Sequence, residues 1–420
     1  MRDHESAPNR TGRRLTTKET AELLGVKPET VYAYVSRGLL SSKREPGGRA
    51  STFEAREVED LARRNRRESA GIPGSGGDLS VRTRITLIEA DRYYYRGVDA
   101  TELAARHSYE EVAEWLWTGR LVPGTAFTAP EATVRAARWA VEALPEHTSP
   151  IDRLRVATIA AAAEDPLRFD LSEEAVLNTA RVLIPTLVDA LPPIAHDPGG
   201  DAPLAHRLWS RLTARPADED AVRVLDAALV LLADHDLAAS TLAVRVAASA
   251  RAHAYATVSA GLGVLEGPLH GASSGLAHRM LLDVLELGNA GPVIADELRA
   301  GRRVPGLGHR IYTGEDPRAQ VLFGLLERLP RAEPALLAAR DIVATTARHT
   351  PLHANVDLAL AVFTSSFGMP ATAGETIFAV ARIAGWIAHA LEEYGERPLR
   401  MRPVGHYVGP RPPQPLPQAD

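Results

Sequence analysis

The run AVRVLDAALVLLADHDLAASTLAVRVAASA, residues 221–250, constrains the fold more than any other stretch of the chain. Val222, Leu225, Leu229 and Leu232 recur at helical spacing, and His235 follows on nearly the same face. The rest of the chain has the same bias. Hydrophobic residues make up 45% but aromatics only 5%, because Ala and Leu dominate. These residues have high helix propensity and pack helices closely with little loss of side-chain entropy. Alternating β-branched runs are scarce, so the fold class is mainly α. At 420 residues the chain is too long for one core of usual size, and two or three folding units are expected.

Absences narrow the chemistry. There is no cysteine, which excludes disulfides, thiolate zinc sites and cysteine nucleophiles. The opening MRDHESAPNR has no apolar core of a signal peptide, and no stretch reaches the ~18 uninterrupted apolar residues of a membrane helix. A cytoplasmic location without membrane contact is the expectation.

Charge is unevenly divided. Residues 1–67 carry 15 Lys/Arg against 10 Asp/Glu, whereas the remainder carries 33 against 43. The basic surplus is confined to the N-terminal sixth, and an anionic partner belongs there. Residues 13–67 read as one small domain. Thr16 and Glu19 have capping-box spacing, which predicts a helix start, and Gly25 ends that helix. Pro28 suits the first turn of a second helix. Val31 and Val35 point inward from it and leave Lys27, Thr30, Tyr32, Ser36 and Arg37 outward. SSKREPGGRASTF alternates around a Gly-Gly turn as a small β-wing would, and EAREVEDLARRNRR is a final basic helix. This unit resembles the winged helix-turn-helix of the excisionase and MerR-type families. The resemblance implies that the second helix enters the major groove, with Lys27, Thr30, Tyr32 and Arg37 near the DNA and the wing residues Lys43, Arg44 and Arg49 on phosphates. Residues 68–80, ESAGIPGSGGDLS, are a flexible linker by composition.

From residue 81 the signal is mostly helical. TELAARHSYEEVAEWLWTGRLV holds two short amphipathic helices broken at His107-Ser108. TIFAVARIAGWIAHALEEY is a core helix with Arg382 beside its apolar stripe, and a charge there needs a partner. The tail PRPPQPLPQAD is proline-rich.

Three histidines stand in unusual settings: His235 at a helix end, His270 in GPLHG and His309 in GLGHR. Glycines beside the latter two let the backbone approach a ligand and adopt positive φ. Asp357 follows in HANVDLAL and Arg318 in EDPRA. No HxxxH-type pair supports a metal site. Spacing alone supports an acid–base enzyme acting on an anionic substrate.

Taken in order, these motifs are more specific. YYYRGVDATELAARHSYEEVAEWLWTGRL, HDLAAST, GPLHGAS, GLGHRIYTGEDPRA, NVD, ARIAGWIAHALE and RPVGHYVG resemble seven ordered signatures of the citrate synthase family, over residues 81–409. The resemblance implies a two-domain, all-helical body, with a large domain from 81–271 and 376–420 and a small one from 272–375. It implies a homodimer that condenses acetyl-CoA with oxaloacetate, without metal or bound cofactor. Asp357 would deprotonate the acetyl methyl group, His270 would hydrogen-bond the thioester oxygen, and His309 would polarise the keto group. His235, Arg318 and Arg382 would hold oxaloacetate, and Arg402 would reach the other subunit's site.

Departures from the family pattern bear on the acyl group. Ala238 stands where HELNAST has Asn, Ala272-Ser273 follow His270 in place of Gly-Ala, and NVDLALAVF replaces NVDFYSG. A 2-methylcitrate synthase that uses propionyl-CoA is the neighbouring alternative. A transcriptional regulator using the synthase fold as a metabolite sensor is another, and an N-terminal unit that is only an interaction module is a third.

Overall fold

The computed structural model describes residues 14–24, 26, 28–36, 40–44, 51–58, 61, 81–89, 91–267, 273–403, 408–410 and 416. These fall into two compact units, one drawn from 1–80 and 403–420, the other from 81–402.

In the first unit β1 (Arg14–Thr16) leads into α1 (Thr17–Leu24) and α2 (Pro28–Ser36), followed by β2 (Ser42–Arg44) and β3 (Ser51–Glu54). The predicted cap is present: the Thr16 N–H donates to Glu19 Oε2 at 2.8 Å and the Glu19 N–H to Thr16 Oγ1 at 3.3 Å. Val31 is fully buried with Leu15, Ala21, Leu40 and Phe53, and Val35 packs against that cluster. The wing strands pair antiparallel as read from sequence. The sheet has an unpredicted third strand, in the order β1-β3-β2, since Arg14–Thr16 pairs with Ser51–Glu54. A strand of three residues is too short to show periodicity.

The second unit opens with another departure from the helical reading. β4 (Thr86–Glu89), β5 (Arg92–Tyr95) and β6 (Val98–Asp99) form an antiparallel meander. Tyr93 and Tyr95 point from one face of β5 into the core, both under 2% exposed. Helices α3 (Ala100–Arg106) and α4 (Tyr109–Thr118) follow, broken at His107-Ser108 as predicted. Ser108 caps α4 in a reciprocal box with Glu111.

Two core helices organise what remains. The first is α9 (Glu219–Leu232), preceded by α5 (Glu131–Glu142), α6 (Pro150–Glu164), α7 (Glu173–Ala190) and α8 (Leu204–Leu212). Its Val222, Leu225, Leu229 and Leu232 are all buried, as their spacing requires. Then come α10 (Ala239–Ser249), α11 (Ala254–Leu265), α12 (Ser273–Leu287), α13 (Ala290–Arg299), α14 (Pro317–Leu326), α15 (Glu333–Ala347) and α16 (Val356–Ser366). The second core helix is α17 (Ala373–Tyr394), which packs against α9, α10 and α11. Its Gly385 lets the chain after α9 come close, and the Gly385 N–H donates to the Ala233 carbonyl at 3.0 Å. A methyl group there would lie 2.4 Å from that oxygen, so only glycine fits. Among the described residues no helix is long and apolar enough to cross a membrane.

Candidate active site

His235 is presented by the turn that ends α9. Tyr95 Oη accepts from the Asp234 N–H at 3.1 Å and lies 3.0 Å from the Val230 and Asp234 carbonyls, so the meander clamps this turn. Asp236 is left-handed at φ +55°, a conformation Asp tolerates, and it reverses the chain. The buried Asp234 carboxylate accepts from Thr86 Oγ1 and lies 3.4 Å from His389 Nε2. His389 Nδ1 accepts from Arg245 Nη1 at 3.0 Å, which leaves the ring proton on Nε2, facing Asp234. Arg245 in turn bonds Glu392 and Glu393.

His309 and Asp357 sit on two paired segments. Leu307 bridges Ala354, the Gly308 N–H donates to the His353 carbonyl at 2.8 Å, and the Asn355 N–H to the Gly306 carbonyl at 2.9 Å. Asn355 also caps α16 by accepting the Asp357 N–H at 2.9 Å, while its Nδ2 donates to the Gly308 carbonyl. Gly306 is at φ +78°, and a Cβ there would lie 2.9 Å from Leu358 Cβ. The glycine that sequence reading placed near a ligand is thus needed for φ and for seating α16.

His309 Nδ1 accepts two backbone N–H groups, from Ile311 at 3.0 Å and Tyr312 at 3.3 Å. Its proton therefore resides on Nε2, so Nε2 and Arg318 Nη2, 3.4 Å apart, are two donors side by side and not a hydrogen-bonded pair. Burial, then the Arg318 charge, pushes the His309 imidazolium down to about 4. Burial, then Arg318 and Arg382, holds His235 well below the usual histidine range. Both rings are neutral at physiological pH, with centroids 5.3 Å apart. Asp357 is partly buried, and that burial raises its carboxyl to about 6, opposed by Arg318 and reinforced by Asp316 and Glu375.

The two arginines differ. Arg318 forms a bidentate pair with Asp316, at 3.0 and 2.8 Å, and Asp316 also caps α14 and accepts the Val356 N–H at 3.0 Å. Arg382, 1% exposed, donates from Nε to the Leu232 carbonyl at 2.8 Å and stacks 4.4 Å over Phe378. Its Nη2 is buried without a hydrogen-bond partner. A buried guanidinium with an unused donor is costly unless an anion completes it.

The structure brings these candidates together around one charge: His235, His309 and Asp357 all lie within electrostatic reach of Arg318, and His235 also within that of Arg382. Arg402 is exposed. His270 lies outside the described residues, as do Lys27, Arg37 and Arg49. Of the other N-terminal candidates, Thr30 is half-buried, Tyr32 and Lys43 are exposed, and Arg44 lies in β2. Sequence reasoning missed Tyr312, Asp234, Asp316 and Asn355, though Asp234 adjoins His235 and the others lie two or three positions from residues it singled out. Asp316-Pro317 was the available signal, as a helix start.

A helical fold holding neutral imidazoles, a carboxyl of raised proton affinity and buried arginines has the groups that acid–base chemistry on an anionic substrate needs. The fold is shared with the citrate synthase of the archaeon Thermoplasma acidophilum, solved as a ternary complex with carboxymethyl coenzyme A and oxaloacetate. The TM-score is 0.67 at 23% identity, covering 81% of this chain and 97% of that one. Residues 74–404 match the family model "Citrate synthase, C-terminal domain", and residues 14–66 match a helix-turn-helix domain. The citrate synthase of Haloferax volcanii is 32% identical over 362 residues, covering 80% of this chain and 95% of that one. The 2-methylcitrate synthase of Mycobacterium tuberculosis is 28% identical over 361 residues, covering 81% and 90%. The chain belongs to the citrate synthase family: it is a condensing acyltransferase with a helix-turn-helix domain at its N-terminus.

Proposed function

We propose that the protein condenses acetyl-CoA with oxaloacetate and water to give citrate and CoA. The observation that carries this reading is the His309 Nε2–H, fixed by two backbone donors to Nδ1 and set beside Arg318. A neutral N–H at that point hydrogen-bonds a keto oxygen and stabilises the alkoxide that forms from it. Arg318 and the unpaired Nη2 of Arg382 receive the keto acid's carboxylates, with His235 as a further contact. Asp357, raised to about 6, is a stronger base than an ordinary carboxylate yet mostly ionised at pH 7 to 8. It takes the thioester α-proton while His270, assigned by family resemblance, hydrogen-bonds the thioester oxygen. The enolate carbon attacks the keto carbon, and water then cleaves the thioester and releases CoA.

The reading includes a homodimer in which Arg402 serves the partner's site. It also includes a large domain from 81–271 and 376–420 that closes on a small domain from 272–375 to exclude water. The apolar run after Asp357, with Leu358 to Ala361 all buried, makes propionyl-CoA the second acyl donor to try, giving 2-methylcitrate. The decisive assay is CoA release with oxaloacetate and either thioester. Turnover lost in Asp357→Ala supports the enzyme, and the ratio of kcat/KM values selects the donor. Oxaloacetate binding without CoA release would favour the metabolite-sensing regulator.

For the N-terminal unit we propose DNA binding through α2 and the wing, supported by the helix-turn-helix match and the basic surplus. Fluorescence anisotropy with duplex DNA across salt tests it. Weak binding that is the same for every sequence would reduce the unit to an interaction module.

A further inference from the structure

Tyr312 stands among the site residues without a part in the chemistry above. It is 3% exposed, and its Oη lies 2.8 Å from His235 Nε2. Its ring is 4.7 Å from that of His309, and Arg318 Cζ is 5.7 Å from its centroid. Its own backbone N–H is one of the two donors that set the His309 tautomer. Burial raises the proton affinity of the phenol and lowers that of His235, so the phenol keeps its proton and the ring is neutral. Both tautomers of the neutral ring satisfy this contact: the Tyr312 hydroxyl donates to a bare Nε2, or it accepts from Nε2–H and keeps its own proton to donate elsewhere.

A count of donors shows what this hydroxyl can do when substrate arrives. Oxaloacetate brings two carboxylates and a keto oxygen, each carboxylate with about four lone-pair sites. Arg318 has Nε and Nη2 engaged by Asp316, Arg382 has Nε on the Leu232 carbonyl, and the His309 Nε2–H is committed to the keto oxygen. Buried anions left short of donors bind poorly. With Nε2 bare, His235 is an acceptor there and repels a carboxylate. Rotation of the Tyr312 hydroxyl corrects both faults. If Oη–H turns to the carboxylate, the ring takes its Nε2–H tautomer, giving up the Nδ1 proton to solvent water and gaining one from it at Nε2, and Nε2–H donates to Tyr312 Oη. The ring itself cannot withdraw without moving the His309 loop, which is further tied by the Gly314 N–H to Asp91 Oδ1 at 3.2 Å.

We propose that Tyr312 is a substrate-binding residue whose hydroxyl is hydrogen-bonded to His235 in the empty site and donates to a carboxylate of the keto diacid in the filled one. This rests on the oxaloacetate reading above. The test compares the full-length wild type with Tyr312→Phe, which keeps the ring on His309 and removes one oxygen. Oxaloacetate affinity is measured by calorimetry, and both substrates by steady-state kinetics. The expected result is ~10-fold weaker oxaloacetate binding and a matching rise in its KM. The KM for the thioester and kcat at saturation stay within about twofold of wild type, at an unchanged melting temperature. Equal or tighter oxaloacetate binding by the Phe variant overturns the proposal, because the hydroxyl would then be only a placeholder. A general loss in kcat, both KM values and melting temperature overturns it too, as the signature of a structural role. A wild type that does not bind oxaloacetate overturns the substrate reading itself, and this inference with it.

Discussion

Asn355 Nδ2 donates to the Gly308 carbonyl at 2.9 Å, so one side chain ties the segment carrying His309 to the helix carrying Asp357. The same side chain caps that helix through its oxygen. Asn355→Ala removes both bonds and leaves the half-buried Gly308 carbonyl without this donor. The expected cost is ~1–3 kcal/mol of stability, seen as a lower urea midpoint. CoA release should fall further than in Asn355→Asp, which keeps the cap.

The pH dependence follows from two groups. The proposed mechanism requires ionised Asp357, whose carboxyl is raised to about 6, and neutral His309, whose imidazolium is lowered to about 4. The acid limb of kcat/KM should therefore break at the higher value, with Asp357, and His309 should add a second break only below it. A single break well below 5 would remove Asp357 as the base.

Stability responds oppositely to the same groups. His309 is depressed below its unfolded value of about 6.5, so the stability it confers is present above that pH and is lost as pH falls toward about 4. Asp357 is raised above its unfolded value of about 3.9, so its favourable contribution is present below that pH and lost as pH rises through about 6. Asp357→Asn should accordingly abolish turnover yet raise the melting temperature at pH 7.5. The gain should shrink below pH 5, which thermal scans across pH can follow.

Arg382 separates binding from folding. Its guanidinium is buried with an unused Nη2, and burial lowers its proton affinity despite the Asp234 charge. Arg382→Met should leave stability unchanged or raise it by ~1 kcal/mol or more, since an unfilled buried charge is removed. Oxaloacetate affinity should drop by ~100-fold or more. Equal affinity in calorimetry would exclude Arg382 from the substrate site.

Gly385 tests the packing that presents His235. In Gly385→Ala the new methyl would meet the Ala233 carbonyl and Asp234 Oδ1 at 2.4 Å, on a turn whose backbone Tyr95 holds through the Asp234 N–H and carbonyl. Neither can move freely, so ~3 kcal/mol or more of destabilisation is expected. Denaturant unfolding measures it directly.

The amino-acid sequence by itself determined the helical class, the Thr16–Glu19 cap and the break at His107-Ser108, and it singled out His235, His309, Arg318, Arg382 and Asp357 as candidates. Those properties reside in local propensity, in i, i+3 spacing and in short motifs, all contained within a few consecutive residues. The tertiary structure alone decided the meander of residues 86–99, because two inward tyrosines become a strand face only where the end of α9 gives them carbonyls to bond. It alone decided that Arg318 is already paired with Asp316 while Arg382 keeps a free donor. It also brought Tyr312 to His235 across 77 positions and His389 to Asp234 across 155. Contacts at such separations leave no periodic trace in the chain, since they depend on where whole helices come to rest and not on the residues beside them.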